Sequence, residues 1–211
     1  MDFSAARRAM IDSQLRPQAV TDPTVIAAMA IVPREEFVPA ASKPLAYIDR
    51  NLPLGEGRAL PPPVTLGRML TELAPLRGEK ALVVGAASGY AAAVLAEMGL
   101  DVVALENDPQ LLEQLGRLAG RIRVASGELA AGVPDAAPFD IVLIDGQVEY
   151  IPDALIDQLK TDGRLGACLL ENGVGRLVVG RRSFHGFGVK SVADTSAPPL
   201  PGFQRPRVFS F

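Results

Sequence analysis

Lys80-Ala-Leu-Val-Val-Gly-Ala-Ala-Ser-Gly-Tyr-Ala-Ala-Ala-Val-Leu-Ala96 is the run that decides how this chain folds. Ala81 to Val84 is short and apolar without alternation, which reads as a strand buried on both faces. Gly85-Ala86-Ala87-Ser88-Gly89 follows as a turn of small residues. Tyr90 to Met98 then reads as a helix that Gly99 ends. Few side chains in such a turn keep a ligand off the backbone, and the helix start offers free N–H groups. Strand, turn and helix together predict a place for a nucleotide-like ligand, with Gly85, Ala87, Ser88 and Gly89 as candidate contacts.

A second strand, Asp101 to Leu105, ends in Glu106-Asn107-Asp108-Pro109. Glu106 lies roughly 20 residues past the glycine turn, which in a βαβ unit puts a carboxylate at the end of the neighbouring strand. There it can accept hydrogen bonds from two ribose hydroxyls. The pair of features predicts a site for an adenosine-containing cofactor. The glycine pattern alone is weak, being GxxxG rather than GxGxxG. The plainer alternative is an ordinary βαβ turn with a surface glutamate.

The chain has 211 residues, enough for one α/β domain with a full core. Its net charge of −3 comes without a basic block or aromatic–basic interleaving, which argues against nucleic acid as a main partner. No apolar run reaches membrane-spanning length, and Met1 to Arg8 lacks the apolar core of a secretory signal. A cytoplasmic location is the default expectation. The one cysteine, Cys168, lies in an apolar run and reads as core; the one histidine, His185, reads as a turn residue. Neither a metal site nor a Ser-His-Asp triad follows from them.

Outward from the cofactor unit, Phe3 to Leu15 has helical spacing and stops at Arg16-Pro17. Helices are expected from Pro23 to about Ala30, from Arg34 to Phe37, and from Leu66 to Leu73. The Gly- and Pro-dense stretch from Ala46 to Pro63 reads as a long ordered loop of the kind that carries function. After Glu106 come a helix from Asp108 to Ala119, strands at Arg121–Ala125 and Phe139–Ile144, a helix from Pro152 to Leu159, and a strand from Arg164 to Leu170. Short strands at Arg176–Gly180, Val189–Ala193 and Arg207–Phe211 suggest an antiparallel edge. Glu106, Glu128 and Asp145 each follow a parallel strand, at the sheet end where ligands bind. Asp145 taken alone reads at least as well as a solvated loop charge or helix cap.

Several segments coincide with one family. Val32-Pro-Arg-Glu-Glu-Phe-Val-Pro39, Leu52-Pro-Leu-Gly55 with Gly57, Gly85 to Tyr90, Glu106, Gly127-Glu128, Phe139-Asp140, Gln158-Leu-Lys160 and Gly163-Arg-Leu165 match in order and spacing over most of the chain. The chain resembles protein-L-isoaspartate O-methyltransferases, as a divergent member. The resemblance implies a doubly wound, mostly parallel sheet of the S-adenosylmethionine-dependent type. An N-terminal helical layer and substrate-side loop would span 1–75 and the cofactor-binding sheet 76–211, in one domain. It implies S-adenosylmethionine as cofactor, held at Gly85, Ala87, Ser88, Gly89, Glu106, Gly127 and Glu128. It implies a protein or peptide substrate carrying isoaspartyl residues, with Arg58 and Leu60 on the substrate side.

The departures fall in the working parts. The family's loop threonine and serine fall on Ala59 and Pro61, its acidic residue in the first strand on Val83, and the middle glycine of its turn on Ala87. Its acidic-Gly pair after the third strand falls on Glu128-Leu129. Methylation of a carboxylate needs positioning rather than a general base. Lost loop hydroxyls therefore point to reduced or shifted activity rather than to a missing proton acceptor. Arg58 is the strong donor left in that loop; it suits a substrate carboxylate, or pairs with a nearby acid such as Glu56. Two other readings stand beside the transferase: a non-catalytic relative that keeps the fold for binding or interaction, and a nicotinamide-binding protein.

Overall fold

A computed structural model describes residues 1–55 and 57–205. The expected strand at Arg207–Phe211 and the side chain of Glu56 lie outside the described residues. Helix α1 (Phe3–Met10) starts at Asp2, whose carboxylate caps the Ala5 N–H. The chain continues as a π-helical stretch, Ile11–Leu15, and a 3₁₀ turn, Arg16–Gln18, so the predicted first helix is present but changes its winding before Pro17. Helix α2 (Pro23–Ile31) is capped by Asp22 and carries proline in its first turn. Arg34–Phe37 and Ala40–Leu45 are 3₁₀ turns.

The stretch read as an irregular loop contains a hairpin, β1 (Leu52–Gly55) against β2 (Arg58–Leu60). The physical cause is visible in the pairing. Leu52 sits opposite Leu60 and both are buried, while Gly55 and Gly57 take positive φ at the turn. Helix α3 (Pro63–Leu73) follows directly, three residues earlier than its apolar periodicity suggested, because proline is at home in a first helical turn.

Next come β3 (Lys80–Val84), α4 (Tyr90–Glu97), β4 (Asp101–Glu106), α5 (Pro109–Leu115) and β5 (Arg123–Ser126). Then follow β6 (Phe139–Val148), α6 (Asp153–Asp157), β7 (Leu159–Glu171), β8 (Val174–Ser183) and β9 (Gly186–Asp194). The large sheet runs β5-β4-β3-β6-β7-β8-β9. Strands β5 to β7 are parallel, and β8 and β9 add an antiparallel edge, the arrangement that the sequence predicts.

Strand β3 is central, and its residues alternate between two cores. Ala81 and Val83 face the layer made by α1 to α4, together with Val102, Ala104, Ile141 and Leu143. Leu82 and Val84 face the other side, with Val103, Leu105, Phe139, Val142 and Leu155. This double burial is why the strand reads as an unbroken apolar run. The order reverses between β3 and β6, so the crevice at their carboxyl ends is the topological switch point where ligands bind in such sheets.

Truncation of a fully buried side chain in β3 tests this central placement. Leu82→Ala leaves a cavity on the sheet face it shares with Val103 and Val142 and should lower stability by about 2–5 kcal/mol in urea unfolding. A loss below about 1 kcal/mol would mean that β3 is not tightly packed on the face that Leu82 occupies.

Candidate functional site

The crevice is built from three strand ends. Strand β3 runs into Gly85, where positive φ turns the chain. Ala86, Ala87 and Ser88 complete the turn, all buried, and α4 begins after Gly89, also at positive φ. Ala87 stands at φ 51°, a left-handed position that costs a residue with a Cβ more than it costs glycine. From the second strand, β4, comes Glu106, fully buried. From the third, β6, comes Asp145. Here the strand bulges, since the four steps from Leu143 to Gln147 span the two steps from Gly166 to Cys168 on β7. A bulge re-aims a side chain, and Asp145 is thereby buried beside the other two strand ends instead of lying in a solvated loop.

Glu106 is the hub. Its carboxylate accepts from the backbone N–H of Ala87 at 2.8 Å, of Asn107 at 2.9 Å and of Asp108 at 3.2 Å. It also accepts from Arg58, whose Nη1 and Nη2 lie 2.7 and 2.9 Å from its two oxygens. The Arg58 guanidinium further donates to the Gly85 carbonyl at 3.3 Å. Both members of the pair are buried, at 6% and 0% side-chain exposure. Arg58 therefore bridges the hairpin to the turn and to the β4 end, across 48 residues of sequence.

Arg34 is a second buried cation and was missed by residue-level reading. It donates to the carbonyls of Ala46 and Pro61 and lies over the Tyr90 ring, 4.8 Å from its centroid. It thereby pins the proline loop to the helical layer. Beside it, buried Glu35 accepts from Arg7 and from the Tyr47 hydroxyl. The only sequence sign of this network is the charge density of Arg34-Glu35-Glu36 within an apolar setting.

Burial pushes the Asp145 carboxyl up to about 7, against the pull of the Arg34 and Arg58 guanidiniums; Glu106 adds to the rise. Among the described residues, one Asp145 oxygen finds no hydrogen-bond partner, and the same holds for the Ser88 and Tyr90 hydroxyls. Three orphaned polar atoms thus sit on elements that form this crevice, where buried polar groups are ordinarily paired.

The remaining expected residues are placed as follows. Gly127 and Glu128 follow β5 and are exposed; the Gly127 N–H reaches the Glu106 carbonyl, so they form the crevice rim. Leu60 is buried in the core and Pro61 lines a small cavity of about 10 Å³ with Asp145, Gly146 and Ala197. Val83 lies in the apolar core beneath the helical layer. Cys168 is buried in β7, where burial raises its thiol to about 11, and His185 is exposed in the β8–β9 turn. Among the described residues no helix is long and apolar enough to cross a membrane.

The segment after β9 was also missed. Thr195 to Phe203 returns across the strand ends. Gln147 N–H donates to the Pro198 carbonyl, Leu200 N–H to the Gln147 carbonyl, and Glu149 N–H to the Phe203 carbonyl. Leu200 is buried against Gly85 and Gly146: a Cβ built on Gly85 would lie 2.5 Å from its Cδ1, and one on Gly146 3.2 Å from its Cβ. An apolar Leu among prolines is the one sequence signal for such an anchor.

The family model described as protein-L-isoaspartate(D-aspartate) O-methyltransferase matches residues 5–186. A protein-L-isoaspartate O-methyltransferase of Gloeobacter violaceus is 44% identical over 163 residues, covering 74% of this chain and 78% of its own. Another, from Marinobacter nauticus, is 36% identical over 210 residues, covering 95% of both chains. A solved protein-L-isoaspartate O-methyltransferase superposes with a TM-score of 0.82 at 21% identity; the match covers 93% of this chain and 66% of that one. A Plasmodium falciparum structure described as a beta-aspartate methyltransferase, in complex with S-adenosyl-L-homocysteine, has a TM-score of 0.78 at 19% identity and covers 95% of this chain and 98% of that one. These two structural likenesses bear on the fold.

Asp145 gives the site a pH signature. The folded carboxyl holds its proton to about pH 7, while the unfolded one releases it near 3.8. Between those values the folded state binds more protons, so stability falls as pH rises, by at most one proton's worth per pH unit. Urea unfolding across this window should show the decline in wild type and a flatter profile in Asp145→Asn. Identical profiles would mean that Asp145 ionises normally in the fold.

Proposed function

The chain belongs to the protein-L-isoaspartate(D-aspartate) O-methyltransferase family, and on that premise we propose that it methylates the free carboxylate of isoaspartyl residues in damaged proteins, with S-adenosylmethionine as methyl donor. A buried carboxylate, Glu106, at the β4 end beside the small-residue turn is the observation that carries the cofactor half of this reading. The names borne by the relatives favour a transferase over a non-catalytic or nicotinamide-binding protein. A cytoplasmic location and one functional unit over 1–211 are part of the proposal.

The donor set fits the adenosine half of the cofactor in kind. Glu106 would take the ribose hydroxyls, Gly127 and Glu128 would border the adenine, and the turn Gly85, Ala87, Ser88, Gly89 would offer backbone. The orphaned Ser88 and Tyr90 hydroxyls and the Asp145 oxygen supply further polar partners. The methionine half is served less well, since Val83 is core and brings no charge. When bound, S-adenosylmethionine supplies a methyl group on a positively charged sulfur, which a carboxylate displaces directly.

What remains for the chain is to position the substrate and exclude water. Arg58 and Leu60 stand on the β1–β2 hairpin, which would form the substrate side. Ala59 and Pro61 offer no hydroxyl, and the Pro61 carbonyl is already taken by Arg34. A substrate hydrogen bond lost in this way costs about 1–3 kcal/mol, so slow turnover follows from the loop.

The test is methyl incorporation into an isoaspartyl peptide. Wild type should turn over well below the typical roughly 10 per second. Ala59→Thr combined with Pro61→Ser should raise kcat/KM by roughly 5- to 150-fold, the equivalent of one restored hydrogen bond. No incorporation by either protein at millimolar cofactor would contradict the proposed activity.

A further inference from the structure

Arg58 belongs to the substrate side by chain position and to the cofactor side by contact. It occupies both oxygens of Glu106 and the Gly85 carbonyl. A ribose arriving at the end of β4 needs that carboxylate. Leu200 covers the other half of the switch point, against Gly85 and Gly146. The cavity left beside Asp145 and Gly146 is about 10 Å³, the size of a single water. A nucleoside seated at the ends of β3 and β4 would therefore meet Arg58 on Glu106 and Leu200 against Gly85.

We propose that Arg58 is a switched positioning residue: a cofactor ribose displaces it from Glu106, and the freed guanidinium then holds the carboxylate of the isoaspartyl substrate while Leu200 leaves the strand ends. This inference rests on the methyltransferase reading.

Three observations carry it. First, Glu106 keeps three backbone N–H partners when Arg58 leaves, so its charge stays solvated by the protein. Second, Arg58 keeps only the Gly85 carbonyl when it loses Glu106, and a nearly buried guanidinium then calls for another anion. A substrate carboxylate matches its planar fork with two parallel hydrogen bonds. Third, the swing asks little of the backbone. Among the described residues, a Cβ built on Gly55 or Gly57 would meet nothing within 4 Å, while Leu60 anchors the far end of β2.

The consequence is coupling. Cofactor without substrate leaves an unpaired cation, and substrate without cofactor finds its arginine engaged. Each ligand therefore tightens the other by the same factor. Leu200 adds a second, separable cost to cofactor entry. Its segment is tied to β6 by the Gln147–Pro198 and Leu200–Gln147 backbone hydrogen bonds, which must open.

The experiment uses the full chain, S-adenosylhomocysteine and a fluorescent isoaspartyl peptide. In wild type, saturating S-adenosylhomocysteine should tighten peptide binding by about 5- to 150-fold. In Arg58→Met that enhancement should vanish, while S-adenosylhomocysteine binds more tightly than to wild type. Leu200→Ala should also bind S-adenosylhomocysteine more tightly but keep the enhancement, which separates the two residues and stands even if Arg58→Met fails to fold. Hydrogen exchange should speed up at the Gln147 and Leu200 amides when S-adenosylhomocysteine is added. A wild-type protein that binds S-adenosylhomocysteine and methylates the peptide, yet binds peptide equally with and without it, overturns this inference and leaves the activity standing. Failure of both wild type and Leu200→Ala to bind S-adenosylhomocysteine at millimolar concentration overturns both.

Discussion

The five hydrogen bonds on the Glu106 carboxylate hold the functional end of this molecule together. Through them the turn after β3, the end of β4, the start of α5 and the β1–β2 hairpin share one anion. A buried charge survives only when paired or hydrogen-bonded, so each of these pieces is placed by the need of the others. The hairpin lies 48 residues before Glu106, and Arg58 is the contact that brings it onto the sheet. Arg34 works in the same manner one layer away, tying the proline loop to the helical layer through the Pro61 carbonyl. Two guanidiniums thus hold these loops: Arg58 through the Glu106 carboxylate and the Gly85 carbonyl, Arg34 through the Ala46 and Pro61 carbonyls.

The segment after β9 completes the picture. Its described part, Thr195 to Phe203, does not pair along the sheet edge. Instead it crosses the ends of β3 and β6 and seats Leu200 and Phe203 in the apolar cluster on one face. The same strand ends that a ligand would use are therefore packed by the chain itself. The bulge in β6 turns Asp145 inward at this place, and burial there keeps its carboxyl protonated up to about pH 7. The crevice accordingly holds two unlike carboxyls. Glu106 is ringed by donors, while Asp145 has an oxygen without any.

Most of the sheet was legible because its signals are local. An unbroken apolar run, a small-residue turn and a glycine-ended helix identify β3 and α4 without reference to the rest of the chain. Proline and aspartate mark the helix starts at Pro23 and Pro109. The hairpin escaped because its strands are only three or four residues long and dense in Gly and Pro, which mimics an irregular loop. Glu106 was legible by its distance from the turn. The partner of Arg58 was not: the nearest acid in sequence is Glu56, whereas the contact is made through the fold. Asp145 could not be told from a solvated loop charge, since the bulge that buries it leaves no mark in its neighbours. Leu200 carries only a faint signal, an apolar residue among prolines, because its contacts with Gly85 and Gln147 are made through the fold.

A double-mutant cycle on the Arg58–Glu106 pair tests whether this ion pair holds the crevice together. Stability would be measured by urea unfolding for wild type, Arg58→Met, Glu106→Gln and the double variant. Each single change leaves a charge buried without its counterpart, whereas the double change removes both. The double variant should lose less stability than the two single losses added together, by about 1–3 kcal/mol. Simple additivity, within about 0.3–0.5 kcal/mol, would contradict it and would mean that the crevice is held by something other than this ion pair.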